Sequence, residues 1–308
     1  MMNKSLRGSL LLLLTAAIWG AAFTAQRAGM DHVGPLTFNG VRMLLGGAAL
    51  MPVILLSDRK KTSADVTPVR RKDQRTAGLL CGLLLFTATT LQQFGLVTTT
   101  AGKAGFITAL YVVLVPIASW LVFKKNPGRG IWVSVLLAVL GLFLICVPAG
   151  QAFGINGGDW MVMGCAVCFT GHILVVDYYS PRVDGLRLSR DQFFICGLLS
   201  VLPAFFTETL SLDGLREALI PILYAGILSG AVGYTLQIIG QRDTHPTVAS
   251  LVMCLESVFA VLTGALLLGE RMTPREAAGC LAMFAAVILA HLSPLLASLV
   301  RRRRPSAP

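Results

Sequence analysis

Ten apolar blocks, each about 20 residues long, run through this chain: 8–27, 35–56, 76–97, 101–123, 130–148, 160–179, 191–209, 217–240, 246–268 and 276–297. A helix needs about 20 such residues to cross roughly 30 Å of hydrocarbon. Within lipid every backbone N–H and C=O must be satisfied internally, so blocks of this length are read as helices. Ten crossings leave only short connections in 308 residues. Charged residues make up 13% of the chain, against roughly 25% in ordinary soluble domains. That is too little charge to build a water-facing surface. The expected fold class is therefore an all-α polytopic membrane protein with ten transmembrane helices. A soluble enzyme, a disordered tail protein and a disulfide scaffold are excluded. The seven cysteines all lie in apolar blocks and read as small packing residues rather than a disulfide framework. The first block is longer than a signal-peptide core and has no convincing cleavage site, so it is kept as a mature helix.

A formal net charge of +11 would suggest nucleic acid in a soluble protein. Here the basic residues are lopsided instead. With the N-terminus in the cytoplasm, 20 of the 26 Lys and Arg fall on the inner side and 5 on the outer, with Arg42 alone inside a span. This is a positive-inside pattern. It places both termini in the cytoplasm, the expected location being a bacterial inner (plasma) membrane, and removes the reason to expect a nucleic-acid partner. The run Arg301 to Arg304 is expected to rest on anionic headgroups.

The halves of the chain resemble each other. Block four, from Ala104 through Phe123, aligns with block nine with Pro116 opposite Ser257, and each is followed by a short polar connection and a Gly- and Ala-rich span. Gly158-Asp159-Trp160 looks like a restart of the first span. Residues 1–150 are read as a first five-helix repeat, 151–298 as a second and 299–308 as a basic cytoplasmic tail. Five is odd, so two such repeats must cross in opposite senses. The equivalent loops agree: Lys124, Lys125 and Arg129 after block four face a charge-balanced set, Glu270, Arg271, Arg275 and Glu276, after block nine. Inverted repeats mark alternating-access carriers with a central substrate cavity.

These features resemble the EamA-type family of the drug/metabolite transporter superfamily. The resemblance rests on Trp19-Gly20-x-x-Phe23, Arg42, the stretch from Gly105 to Pro116, Gly158-Asp159, and Leu255-Glu256-Ser257-Val258-Phe259 through Leu268-Gly269-Glu270-Arg271-Met272-Thr273, followed by Gly279. It implies ten helices as two inverted repeats around a central cavity, and transport of small metabolites. Two departures stand out. Ser257 occupies a position where the family usually has proline, and Lys124-Lys125 stand where a first-half copy of Gly-Glu-Arg would fall.

An ionisable side chain at a helix centre costs about 2.5–3.5 kcal/mol on insertion scales, so each one within a span is a candidate site. Glu256 lies near the midplane; it can couple protons, balance a cation, bind substrate, or serve as a fixed partner of Arg42, Lys103 or an unwound backbone. His172 is the one histidine well inside a block, where it can bind, relay protons or sit satisfied in the core. Of the adjacent amides Gln92 and Gln93, which point about 100° apart on a helix, Gln93 is preferred for the cavity. Tyr234, Gln237 and Gln241 share one face of the eighth block, and Thr15, Trp19 and Gln26 one face of the first; Tyr111 lies mid-block in the fourth. Aromatic walls with a few amides describe many small-molecule pockets. The candidate substrate-binding or coupling residues are therefore Trp19, Gln93, Tyr111, His172, Tyr234, Gln237 and Glu256. Lys103 is expected to snorkel, and Arg42 to have a structural partner.

No G-x-x-x-x-G-K-[ST] loop or H-E-x-x-H motif occurs, so neither cofactor nor metal nor enzymatic activity is expected. The leading expectation is a secondary, non-ATP transporter of a small polar metabolite such as an amino acid, with protons as a second partner. The alternatives are a ligand-sensing or assembly subunit that does not transport, and an enzyme acting on lipid head groups, for which no catalytic cluster is evident. Substrate, direction and oligomeric state are not legible in the sequence.

Overall fold

The apolar blocks close into helices, as unsatisfied backbone groups in hydrocarbon require. The computed structural model describes residues 4–60, 70–124, 127–147, 155–267 and 271–303, and among them no strand occurs. Nine stretches of the described residues are long and apolar enough to cross a bilayer: Lys4–Met30, Pro35–Arg59, Arg71–Thr98, Gly102–Val122, Arg129–Cys146, Gly157–Tyr179, Leu219–Gln241, Pro246–Thr263 and Pro274–Ser293. A further helix, Gly185–Thr207, has the length of a crossing at 23 residues. It opens with Arg187, Arg190 and Asp191, so apolar length supports nine spans rather than the expected ten. The blocks 35–56 and 76–97 extend toward each other, the helices running to Lys60 and restarting at Arg71. Lys61, Lys125, Leu268-Gly269-Glu270 and residues 304–308 of the tail lie outside the described residues.

Several spans expected to be continuous are interrupted. The first consists of α1 (Lys4–Gly20) and α2 (Ala22–Met30). After α3 (Pro35–Lys60) and α4 (Arg71–Thr98), the fourth span divides into α5 (Ala101–Ala109) and α6 (Tyr111–Phe123). Then come α7 (Arg129–Cys146), α8 (Gly157–Tyr179), α9 (Gly185–Thr207) and two short helices, α10 (Leu212–Glu217) and α11 (Leu219–Leu223). The eighth span continues as a π-helical stretch, Tyr224–Tyr234, before α12 (Thr235–Gln241). The ninth divides into α13 (Pro246–Met253) and α14 (Glu256–Leu267), and α15 (Pro274–Arg303) is the last. Broken helices free backbone groups that need partners. One such partner is Cys254, at the ninth-span break, whose thiol donates to the carbonyl of Ala109 at the fourth-span break, 3.5 Å away.

Helices meet in a patterned set of pairs: α4 on α8, α3 on α9, α7 on α15, and α1 on both the π-helical stretch and α12. Glycines set the closest approaches. A Cβ on Gly95 would lie 2.9 Å from the Gly158 carbonyl oxygen, and one on Gly158 2.7 Å from that of Gly95. Gly8 and Gly240 oppose each other in the same way, at 2.7 and 2.9 Å, as do Gly141 and Gly279 at 2.8 Å. Carboxylates tie helix ends together across the fold. Glu208 accepts from the backbone N–H groups of Leu36 and Thr37, both at 2.8 Å, and so caps α3 from a distance. Asp58, near the other end of α3, pairs with Arg187 in the first turn of α9 at 2.9 Å. Large apolar side chains such as Leu136, Leu202, Phe206 and Leu281 point outward, as a lipid-facing surface requires.

Candidate functional site

The three helix breaks and the π-helical stretch converge on one cavity. Trp19 and Ala22 flank the break at Ala21, Thr108 and Tyr111 the break at Leu110, and Met253 and Glu256 the break at Cys254-Leu255; all six line the cavity. Ser229 and Tyr234 join from the π-helical stretch, Gln237 from α12, Phe23 and Gln26 from α2, Arg42 from α3, Gln92 from α4, and Phe169 and Ile173 from α8. Space between atoms comes to about 570 Å³ with the open mouth included, of which about 50 Å³ would admit the centre of a water molecule. A void holding one water needs about 10–15 Å³ on that measure, so the cavity has room for a few waters or one narrow ligand.

The electrostatics of the cavity are uneven. Arg42 donates from Nε and Nη2 to Asn39 Oδ1, at 3.1 and 2.9 Å, and stacks over Phe38 at 5.7 Å. Asn39 in turn donates to Thr89 and Ser200, at 3.0 and 2.9 Å. This buried network is the structural partner expected for Arg42, yet Arg42 also faces the cavity. Glu256 differs: it is buried, and among the described residues its carboxylate has no hydrogen-bond or ion-pair partner. Neither Arg42 nor Lys103 pairs with it. Lys103, expected to snorkel, instead pairs with Asp159 at 2.5 Å, and Asp159 also accepts from Thr99 at 2.6 Å.

The neutral lining is also only partly satisfied. Gln92 donates to Thr108 at 3.3 Å and Gln237 to Gln241 at 2.9 Å. Gln26 Oε1 and Gln237 Oε1 are buried with no hydrogen-bond partner among the described residues. A polar atom left this way costs about 1–3 kcal/mol unless water or a ligand fills the gap. Trp19 donates from Nε1 to the Ser229 carbonyl at 3.1 Å and leans on Tyr234, with ring centroids 4.8 Å apart. Among the described residues no group of three His, Cys, Asp or Glu is placed to hold a metal.

Of the seven residues expected from the sequence, Trp19, Tyr111, Tyr234, Gln237 and Glu256 line the cavity. Gln93 does not: it is fully buried, and neither of its amide atoms has a hydrogen-bond partner among the described residues. Since neighbours on a helix point about 100° apart, the wall takes one of the pair, and the one it takes is Gln92. His172 is also set back from the lining. Its Nε2 lies 2.8 Å from Gln192 Oε1, and its ring edge meets Tyr234 at 6.0 Å. Reading the sequence missed Arg42 and Gln92 as cavity residues, and with them Phe23, Phe169, Thr108 and Ser229. Gln26 was identified as sharing a helix face with Trp19 but not placed in the site. Arg42 carried a usable signal, being the one basic residue inside a span; the others carried none.

A family model described as the EamA-like transporter family matches residues 6–147 and 156–292. An "Uncharacterized transporter" of Archaeoglobus fulgidus is 32% identical over 289 residues, covering 94% of this chain and 87% of that protein. A "Probable amino-acid metabolite efflux pump" of Salmonella typhimurium is 24% identical, covering 92% of this chain and 95% of the relative. A solved crystal structure shares the fold with a TM-score of 0.79 at 15% identity, over 94% of this chain and 98% of the other. With a polytopic helical fold, a polar cavity at its helix breaks and a family match over nearly its whole length, the chain belongs to the EamA-like transporter family.

Proposed function

We propose that the chain is a secondary carrier for a small polar metabolite, driven without ATP and working by alternating access. The observation that carries this reading is Glu256, a buried carboxylate with no partner among the described residues in a cavity seated at three helix breaks. Discontinuous helices at mid-membrane are the usual means of presenting polar groups to a transported substrate. Glu256 and Arg42 supply opposite charges, the amides supply donors and acceptors, and Trp19, Tyr234 and Phe169 supply an apolar body. A ligand with an ammonium and a carboxylate matches that set, and the efflux pump among the relatives gives the same class to test first.

Two five-helix repeats, 1–150 and 151–298, are the proposed moving parts. Counting α9 as a crossing gives each half an odd number of spans, so the second inverts the first. The packing supports this reading by keeping its pattern when the halves are exchanged. The Gly95–Gly158 contact then becomes Gly240–Gly8, and the Asp58–Arg187 link becomes Glu208–Thr37. The break at Leu110 becomes that at Cys254-Leu255, which is about one helical turn out of the register that set Pro116 opposite Ser257. Closure at the outer end falls to Lys103 and Asp159, and at the inner end to the Gly8–Gly240 contact and the Ser9–His291 hydrogen bond of 2.8 Å. Glu256 carries the coupling proton: a protonated carboxyl crosses the closed state neutral, and a charged one holds the substrate's ammonium.

Counterflow in proteoliposomes, using amino acids that raise the unfolding temperature of the purified protein, tests the reading. Exchange by the parent protein is expected, with pH-gradient-driven uptake lost in Glu256→Gln. Gradient-driven flux that survives both Glu256→Gln and His172→Ala would exclude the coupling. Saturable binding without any counterflow would favour a sensing or assembly subunit.

A further inference from the structure

A second concavity lies far from the transport cavity, at the end of the fold where α3 stops and α4 and α9 begin. It is a groove in which about 1540 Å³ would admit the centre of a water molecule, and seven arginines line it against four aspartates. The acids are largely committed within the walls. Asp58 pairs with Arg187 at 2.9 Å, and Asp191 pairs with Arg190 at 2.6 Å. Asp191 also accepts from Gln74 at 3.3 Å, and the Asp184 side chain accepts from the N–H of Arg187 at 3.2 Å. Gln74 Oε1 accepts from the Asp184 N–H at 3.1 Å and so fixes α4 against the start of α9. Arg182 is held by Tyr178, donating to its carbonyl and stacking over its ring. Four arginines remain: Arg70, Arg71, Arg75 and Arg242 line the groove with no ion-pair partner among the described residues. The long helix α4 also begins there without a side-chain cap, and an uncapped helix N-terminus favours an anion; the start of α9 is already capped by Asp184.

We propose that this groove binds the phosphodiester headgroup of an anionic phospholipid. The walls decide between a lipid and a soluble anion. Phe194, Ile195 and Ile239 line the groove beside the arginines. Away from it, the same helices turn exposed leucines outward: Leu55 on α3, Leu79 on α4 and Leu198 on α9 are 50–61% exposed. A headgroup seated among the guanidinium groups would have its acyl chains beside this surface, whereas a free phosphate would gain nothing from it. Basic recesses between membrane helices bind anionic headgroups by this combination of charge and adjacent apolar wall. Guanidinium groups suit the role because their planar fork matches two phosphate oxygens. The site does not depend on what the central cavity carries.

Purified protein in a neutral detergent is titrated with dioleoyl-phosphatidylglycerol, dioleoyl-phosphatidylcholine or inorganic phosphate, and the unfolding temperature is read. Phosphatidylglycerol is expected to raise it by several degrees and the other two to leave it unchanged. The single variants Arg75→Gln and Arg242→Gln, from opposite walls, should each weaken the shift, and R70Q/R71Q/R75Q/R242Q should remove it. A tail variant, R301Q/R302Q/R303Q, should keep it, and native mass spectrometry should count fewer bound phosphatidylglycerol molecules on the groove variants alone. An equal response to inorganic phosphate would make this a soluble-anion site. No shift with phosphatidylglycerol, a full shift in the groove variants, or loss of the shift in the tail variant would each overturn the proposal.

Discussion

Glu256 and Arg42 are both ionisable, buried and in the cavity wall, yet their surroundings set different expectations for substitution. Arg42 is held by Asn39 and, through it, by Thr89 and Ser200. Arg42→Gln removes both donors of the buried Asn39 Oδ1 and is expected to destabilise by about 1–3 kcal/mol, read as a lower midpoint in denaturant with detergent present. Removing one member of a buried ion pair costs about 3–5 kcal/mol, and Glu256→Gln would show that cost if its carboxylate had a fixed cation. Neither Lys103 nor Arg42 serves as one, so Glu256→Gln is expected to hold or slightly raise stability while gradient-driven flux falls at least tenfold. A stability loss of 3 kcal/mol would return Glu256 to a structural role. At this scale the sequence was partly legible. A charge or an indole in mid-span is conspicuous, which is how Trp19 and Glu256 were found. Gln92 and Gln93 are chemically identical, and only the rotation of α4 decides which one meets the cavity.

Helix pairs carry two expectations of their own. Lys103 and Asp159 join the starts of α5 and α8, with the carboxylate almost fully buried. Lys103→Met alone strands a charge and should cost about 3–5 kcal/mol, whereas the double variant with Asp159→Asn should recover much of it; a double-mutant cycle on unfolding free energies measures the difference. Glycine contacts give a sharper contrast. A methyl group at Gly95 would stand 2.9 Å from the Gly158 carbonyl, so Gly95→Ala should cost about 1–3 kcal/mol through forced separation of α4 and α8. Gly105 lies within α5 with nothing within 4 Å of its would-be Cβ. Gly105→Ala should therefore be neutral or stabilising by up to about 1 kcal/mol, since glycine is the poorer helix former. Equal effects at both positions would refute the packing argument. The helices themselves were legible as apolar length, but their breaks were not. Leu110 sits in Ala-Leu-Tyr-Val with neither glycine nor proline beside it. Its break depends on tertiary partners such as Cys254, which local sequence does not reveal.

For the whole molecule, the inverted-repeat proposal makes one topological demand. Reporter fusions in the connections after α6 and after α14 should report opposite sides of the membrane, and a shared compartment would end the two-repeat mechanism. Hydrophobic length and the asymmetry of Lys and Arg made the membrane class, most of the spans and their expected orientation readable, because the bilayer imposes one condition on every crossing segment. Α9 shows where that condition blurs: three charged residues in its first turns remove it from the apolar set although it has a span's length. The cavity was beyond the sequence's reach for a different reason. It is assembled from eleven helical segments, each contributing one to three side chains, and which of them meet depends on helix rotation and on breaks fixed by neighbours. The sequence by itself determined that this chain crosses lipid many times and carries too few buried polar groups for them to be accidental. Only the tertiary structure decided that Glu256 has no partner among the described residues, that Lys103 belongs to Asp159, and that a guanidinium and a carboxyl group share one hollow, because such pairings are made between segments far apart in the chain.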